Sequence, residues 1–296
     1  MVFVDGWGLG DPDPAANPFL SARLTTLERW VGREALFRGT GRVCGQASLV
    51  PVDPSLGVEG LPQSATGQTT ILTGINAAAA VGKHLNAFPT PALKEMLRCC
   101  SLFKQVRELG LRATFLNAYR DEFFRHDPEA IPLSTSTVAV MSAGIPLRRV
   151  SDLLAGEAVY HDIINRVLVE LGYAVPIVGP ETAGERAARV AARHDFTFFE
   201  FFLTDVVGHS RDMLRAVELL ERIDRFLGAV ERHSDLATLT LMVVSDHGNV
   251  EDLGVKTHTR NPVPAIILGR HRDRLAARIS SLQDIAPAVL EVLRDA

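Results

Sequence analysis

Seven polar residues, Asp5, Ser64, Asp205, His209, Asp246, His247 and His258, stand in an order and spacing that reads as a two-metal phosphoryl-transfer site. Carboxylates combined with imidazoles suit Zn, Mn or Fe better than Ca, and two clusters of them imply two ions. The C-terminal part is the most specific. Phe198–His209 ends in Asp-x-x-x-His, Leu239–Asn249 ends in Asp-His-Gly-Asn, and Lys256–Pro264 carries a further His. A serine hydroxyl is a poor nucleophile at neutral pH, and a nearby divalent cation activates it by lowering its pKa.

Taken singly, each residue has a plainer reading. Asp5 before a glycine suits a turn, and Ser64 before an apolar helix suits an N-cap. Thr66, Thr69 and Thr70 are rival nucleophiles. A lone His209 or His258 is more often surface or core filler. Asp246-His247 resists this treatment, because ionisable neighbours at the end of an apolar strand are costly without partners. The joint occurrence of all seven decides for the site.

The elements that must position them follow from periodicity. Val2–Val4, Arg112–Asn117, Ala174–Val178, Phe196–Thr204, Leu239–Val244 and Ala265–Leu268 read as strands, several of them apolar enough to be buried on both faces. Helices are expected over Thr66–Thr73, Pro91–Leu109 with Gly110 as its stop, His161–Leu171, Glu181–His194, a long amphipathic stretch from Met213, and Asp284–Leu293. This alternation predicts an α/β three-layer sandwich, a mostly parallel sheet with helices on both faces, in one domain spanning 1–296. In such sheets ligands gather at the carboxyl ends of strands, and each of the seven residues is expected where a strand runs out into a loop. Tyr119–Glu157, rich in Ser, Thr, Pro and Arg, is expected to form a small cap or extended loop over the site.

Composition narrows the class. Apolar residues make up 47% and charged ones 22%, which argues against disorder. A net charge of −4 and a pI near 6.1 leave no footprint for nucleic acid. Cys44, Cys99 and Cys100 have no zinc-ribbon or disulfide spacing, as in a reducing cytosol. No apolar run is long enough to span a membrane, and Met1–Val4 leads straight into Asp5 as a core strand rather than a leader. A cytoplasmic enzyme with a small phosphorylated substrate is expected, and no nucleic-acid or membrane partner. The oligomeric state is left open.

The set resembles the alkaline phosphatase superfamily, in particular its branch of cofactor-independent phosphoglycerate mutase and phosphopentomutase. Asp5-Gly-Trp-Gly is similar to the opening metal loop, and Gly60-Leu-Pro-Gln-Ser64-Ala-Thr-Gly67 to the nucleophile loop, whose reactive residue stands three before a glycine. Thr204–His209 and Ser245–Asn249 are similar to the two later ligand motifs. His258-Thr-Arg260 is closer to phosphopentomutase and Asn261–Pro264 to the glycerate mutase. The resemblance covers roughly residues 1–85 and 195–270. It implies that Asp205, His209 and His258 hold one divalent ion and that Asp5, Asp246 and His247 hold the other, with Ser64 near or bridging. It favours Ser64 over the threonines as nucleophile. Mn or Zn are the expected metals, with Mg as a further option. Lys83, His84, Arg120, Arg125 and Arg260 are candidates for substrate anions, and Asn249 and Glu251 for support of the ligand loop.

Two departures shape the functional expectation. The mutases carry a substantial inserted domain between the nucleophile and the later ligands, and the corresponding stretch here is short. Gln68 stands where the mutases place His. The expected activity is therefore a two-metal hydrolase of phosphate esters acting through a phosphoserine, with a phosphomutase as the second reading. A non-catalytic metal-binding protein is the third, and it gives no reason for the serine.

Overall fold

The computed structural model describes residues 1–127 and 130–295. Among the described residues nine strands are formed: β1 Val2–Val4, β2 Val43–Cys44, β3 Ser48–Val52, β4 Ala113–Phe115, β5 Ala118–Tyr119, β6 Arg148–Arg149, β7 Phe196–Phe201, β8 Thr240–Val244 and β9 Val263–Gly269. Seven make one sheet in the order β2-β3-β9-β8-β1-β7-β4, and β5 and β6 make a separate parallel pair. β8, β1, β7 and β4 pair in parallel, with Val2 between Val243 and Phe199. β9 runs antiparallel to β8, β3 to β9 and β2 to β3. The sheet is thus mixed. Its site-bearing half is parallel, and β9 enters it from the edge where its parallel neighbours end.

Side-chain alternation along the strands builds a core on each face. Val2, Val4, Phe199, Phe201 and Val243 point to one layer, with the helices Thr25–Val31, Pro180–Ala191 and Met213–Arg232. Phe3, Phe198, Met242 and Val244 point to the other, with Ser64–Thr73, Pro91–Cys100, Leu102–Glu108, Thr135–Ser142 and Ile285–Arg294. This is the expected three-layer α/β sandwich.

Several elements differ from the sequence reading, each for a local reason. The single helix expected over Pro91–Leu109 breaks at Ser101, whose backbone is extended (φ −60°, ψ 146°) and whose hydroxyl caps the second piece by accepting from the Lys104 amide. The helix expected over His161–Leu171 shrinks to Arg166–Glu170, because Ile163 and Asn165 take left-handed backbone (φ 69° and 66°). Ala174–Val178 joins no ladder. Pro176 has no N–H to donate, and its carbonyl accepts instead from the Asn165 side chain. The strand expected over Phe196–Thr204 ends at Phe201, and a helix, Leu203–Ser210, begins at once.

Residues 119–157, expected over the site, divide. Thr135–Ser142 lies within the core, with Val138, Ala139 and Val140 buried, which leaves the β5–β6 pair and its flanks outside. Of this segment, Pro128 and Glu129 lie outside the described residues. Among the described residues no helix is long and apolar enough to cross a membrane.

Candidate metal centre

All seven residues converge at one edge of the sheet, but they arrive by different routes. Asp5 follows β1 directly, its amide donating to the Phe201 carbonyl at 3.0 Å, so the loop leaves beside β7. Asp246 and His247 follow β8 and are fully buried. Asp205 and His209 lie four apart on the helix that follows β7, hence on one face of it rather than in a loop. His258 precedes a strand instead of following one, because antiparallel β9 starts where the parallel strands end. Ser64 is the first residue of the helix Ser64–Thr73, with Gln63 as its N-cap, so Ser64 is not the cap.

Two three-residue groups result, Asp5 with Asp246 and His247, and Asp205 with His209 and His258; each could hold a metal ion. In the first, His247 Nε2 lies 3.2 Å from Asp5 Oδ1 and 3.6 Å from Asp246 Oδ2. In the second, Asp205 reaches His209 Nε2 at 3.4 Å through Oδ2 and His258 Nε2 at 3.3 Å through Oδ1. The ring of His247 stacks on that of His258, 3.7 Å between centroids, and so joins the groups.

The donor set fits divalent cations on its own chemistry. His209 Nδ1 faces the Lys256 carbonyl at 3.0 Å and His258 Nδ1 faces the Pro62 carbonyl at 2.9 Å. A carbonyl only accepts, so each Nδ1 carries a proton, and the two Nε2 atoms face one another 3.1 Å apart beside the Asp205 carboxylate. A cation bound there would take the lone pair of each Nε2 once its proton has left. Asp5 Oδ1 and Asp246 Oδ2 are buried without a hydrogen-bond donor. Burial, and then repulsion from Asp5, push the Asp246 carboxyl well above the usual range. Burial works against a charge on His247, but Asp246 and Asp5 outweigh it and lift its pKa to about 10. Asp205 is held down at about 2, since the bond to His258 and the neighbouring His247 overcome its burial. Positive charge is what this cluster attracts.

Ser64 faces the first group. Its Oγ is 2.8 Å from His247 Nε2, and the residue is half-buried beside fully buried ligands. The threonines are turned away: Thr66, Thr69 and Thr70 donate to the carbonyls of Gln63, Ala65 and Thr66. Gly67 lets the helix approach, because a Cβ there would stand 2.9 Å from that of Asp246. This is the physical content of a glycine three residues after the serine.

Support comes from residues of both kinds, foreseen and not. Asn249 donates to Asp205 Oδ1 at 2.7 Å. Glu251, buried, accepts from the amides of Gly8 and Asn249 and from the side chains of Thr259 and Asn261, tying three ligand loops together. A Cβ at Gly248 would collide with the Glu251 carboxylate, which is why that loop position is glycine. Gln68 donates to Asp5 Oδ2 at 3.0 Å, and Thr204 donates to the Asp5 carbonyl at 2.6 Å. Sequence reasoning missed both roles, although Gln68 stands one helical turn from Ser64 and so on its face. Among the substrate candidates, Lys83, Arg120, Arg125 and Arg260 lie at or near the surface, and His84 is half-buried with Nε2 3.3 Å from the Val58 carbonyl.

The chain belongs to the metalloenzyme superfamily, whose family model matches residues 1–294. A 2,3-bisphosphoglycerate-independent phosphoglycerate mutase of Desulforudis audaxviator is 34% identical over 107 residues, 34% of this chain and 21% of that protein. The match thus spans about a fifth of that curated relative's length. Two solved structures share the fold. One is a protein of Pyrococcus horikoshii with a TM-score of 0.59 at 15% identity, covering 100% of this chain and 97% of that one. The other is the alkaline phosphatase of the Antarctic bacterium TAB5, with a TM-score of 0.51 at 12% identity, covering 99% and 97%.

Proposed function

We propose that this chain is a divalent-metal-dependent hydrolase of phosphate esters, with Ser64 as its nucleophile. The observation that carries the reading is the Ser64 hydroxyl, 2.8 Å from His247 Nε2, at the start of a helix and beside the unpartnered oxygens of Asp5 and Asp246. Asp5, Asp246 and His247 would hold one divalent cation and Asp205, His209 and His258 a second. Such a pair lowers the pKa of the hydroxyl and offsets the charge of the phosphoryl oxygens.

The chain's own groups do the rest. His247 Nε2 and the Ser64 oxygen lie 2.8 Å apart, so an ion held by His247 would be next to the nucleophile. In the first turn of Ser64–Thr73 the Thr66 amide already donates to the Leu85 carbonyl, and the amides of Ser64 and Ala65 are left to receive phosphoryl oxygens. Ser64 gives its hydroxyl proton to solvent, Oγ forms a bond to phosphorus as the ester P–O bond breaks, and the leaving oxygen takes a proton from solvent. Water then cleaves the phosphoserine, which releases inorganic phosphate and restores the hydroxyl.

A phosphomutase is the second reading, favoured by the similarity to the phosphoglycerate mutase of Desulforudis audaxviator. A mutase must keep water from the phosphoserine and hand the group back at another position. Against it stands the placement of Thr135–Ser142 in the core, which leaves little of residues 119–157 to enclose a substrate. The test follows the phosphoryl group. The Mn- or Zn-loaded protein should release inorganic phosphate from simple esters and leave phosphoglycerate and pentose phosphates unisomerised. Positional transfer with little free phosphate would promote the mutase.

A further inference from the structure

We propose that Arg120 and His161 form a second recognition element beside the metal centre, one that takes an anionic group on the part of the substrate that is not transferred. The inference rests on the phosphate-ester reading above and names the substrate class within it: esters that carry a carboxylate or a second phosphate.

Topology brings the two residues together. Past β4, the backbone of Leu116 and Ala118 exchanges hydrogen bonds with Val159, so the chain segments leading to Arg120 and to His161 leave the sheet side by side. They leave next to β7, at the edge where Asp205 stands. The His161 ring lies against Phe202 with 4.8 Å between centroids and 30° between planes, and Tyr160 covers it from another side at 4.2 Å. Phe202 is the N-cap of the helix that carries Asp205 and His209. His161 is therefore packed on the residue that starts a ligand helix.

The loop that holds His161 is strained and heavily anchored. Ile163 is β-branched, buried and left-handed at φ 69°, and Asn165 follows at φ 66°. Asp162 accepts from the amides of Asn165 and Val167, Arg222 donates to the Asp162 carbonyl, and the Asn165 side chain donates to that of Pro176. Such strain persists only where surrounding contacts over-determine it, and it concentrates at sites that need a fixed group.

Among the described residues neither functional group is engaged by the protein. His161 Nδ1 is buried without a partner, and burial drops the imidazole pKa to about 4, so the ring stays neutral and can donate or accept. Arg120 is exposed, and among the described residues its guanidinium makes no hydrogen bond or ion pair. Its positive charge is felt by Tyr160 and His161. The nearby Glu122 carboxylate, which also feels Arg120, is engaged by the Tyr173 hydroxyl. A guanidinium without a carboxylate, next to a fixed neutral imidazole, matches an anion supplied by a ligand.

The test compares two probes, phosphoglycolate, an ester ending in a carboxylate, and 2-hydroxyethyl phosphate, which ends in a neutral hydroxyl. Affinities are measured by calorimetry on Mn-loaded Ser64→Ala protein, so turnover plays no part. Phosphoglycolate should bind tighter by about tenfold or more, as expected for one charge-assisted contact. Arg120→Ala should bring the ratio toward one, and Arg120→Lys should retain most of it. His161→Phe keeps the stack on Phe202 and should lower the same ratio; an equal loss for both probes would make His161 merely structural. A ratio near one before mutation, or one that survives Arg120→Ala, overturns the proposal. If the ratio stands while the unmutated enzyme hydrolyses neither ester, only the phosphatase reading falls.

Discussion

The rings of His247 and His258 lie face to face, 3.7 Å between centroids and 13° from parallel, although they come from opposite ends of the antiparallel turn between β8 and β9. The bond from the Thr259 amide to the Gly248 carbonyl, 3.0 Å, holds the two loop segments in that register. One ring belongs to each three-residue group, so the two candidate metal positions share a wall. Occupancy at one should then be felt at the other.

The first prediction follows from that wall. Protein prepared with Mn or Zn should approach two equivalents per chain in equilibrium dialysis. His258→Ala should abolish one and weaken the other by about tenfold, since an outer-shell partner of a ligand is worth that much. Loss of one equivalent with the second affinity unchanged would show that the stack carries no coupling.

Ser64→Ala should reduce phosphate release by about a thousandfold or more, the usual scale for removing a nucleophile. Metal content and thermal stability should stay close to those of the parent, because Ser64 is half-buried and does not cap its helix by its side chain. Phosphate-labelled protein should be trapped by acid quench in the parent and absent from the variant. Retained activity would shift the role to water, since the threonine hydroxyls are already bonded to helix carbonyls.

The residues of the site were legible because their types are rare in apolar company, and the alternation of strands and helices was legible from period. Geometry was harder to read. The helical placement of Asp205 and His209 was hidden because Leu203–Val207 is as apolar as the strand before it, so composition showed no boundary. His258 looked like the end of a strand because the direction of β9 is a property of pairing, which no local pattern encodes. The Ser101 break and the Ile163 turn rest on side chains competing for backbone groups, and that competition is decided by the fold around them. A supporting role for Glu251 is legible from its place beside the ligand motif, but its reach across three loops depends on folds that bring Gly8, Asn249 and Thr259 to one point.

Glu251 is a buried carboxylate satisfied wholly by neutral donors. Glu251→Ala would leave the Gly8 and Asn249 amides and the Asn261 side chain unpaired, at a cost of about 3 kcal/mol in denaturant unfolding. Both metal affinities should fall together, because the loops of Asp5, Asp246 and His258 all lose their common anchor. Glu251→Gln keeps the shape but turns an NH2 toward donors, so it should recover only part of the loss. A stability loss under about 0.5 kcal/mol, the range of neutral surface changes, would remove Glu251 from this role.

Glu200 gives the pH prediction. It sits near the end of β7, opposite Phe3, where it accepts from the Ser136 hydroxyl and has no cationic partner among the described residues. Burial first, and repulsion from Asp5 second, raise its pKa from 4.5 to about 7, while the Ser136 bond opposes them. The folded state therefore binds this proton more tightly than the unfolded chain does. Its contribution is fully present below pH 4.5 and is lost as pH rises through about 7. Glu200→Gln keeps an acceptor for Ser136 and carries no charge, so it removes this slope. With chelator present, so that no cation offsets the carboxylate, the variant should exceed the parent at pH 8 by on the order of 2–3 kcal/mol. Near pH 4 the two proteins should be equally stable. Unfolding curves in urea across this range decide it, and a difference that is constant with pH would mean that Glu200 stays ionised in the fold.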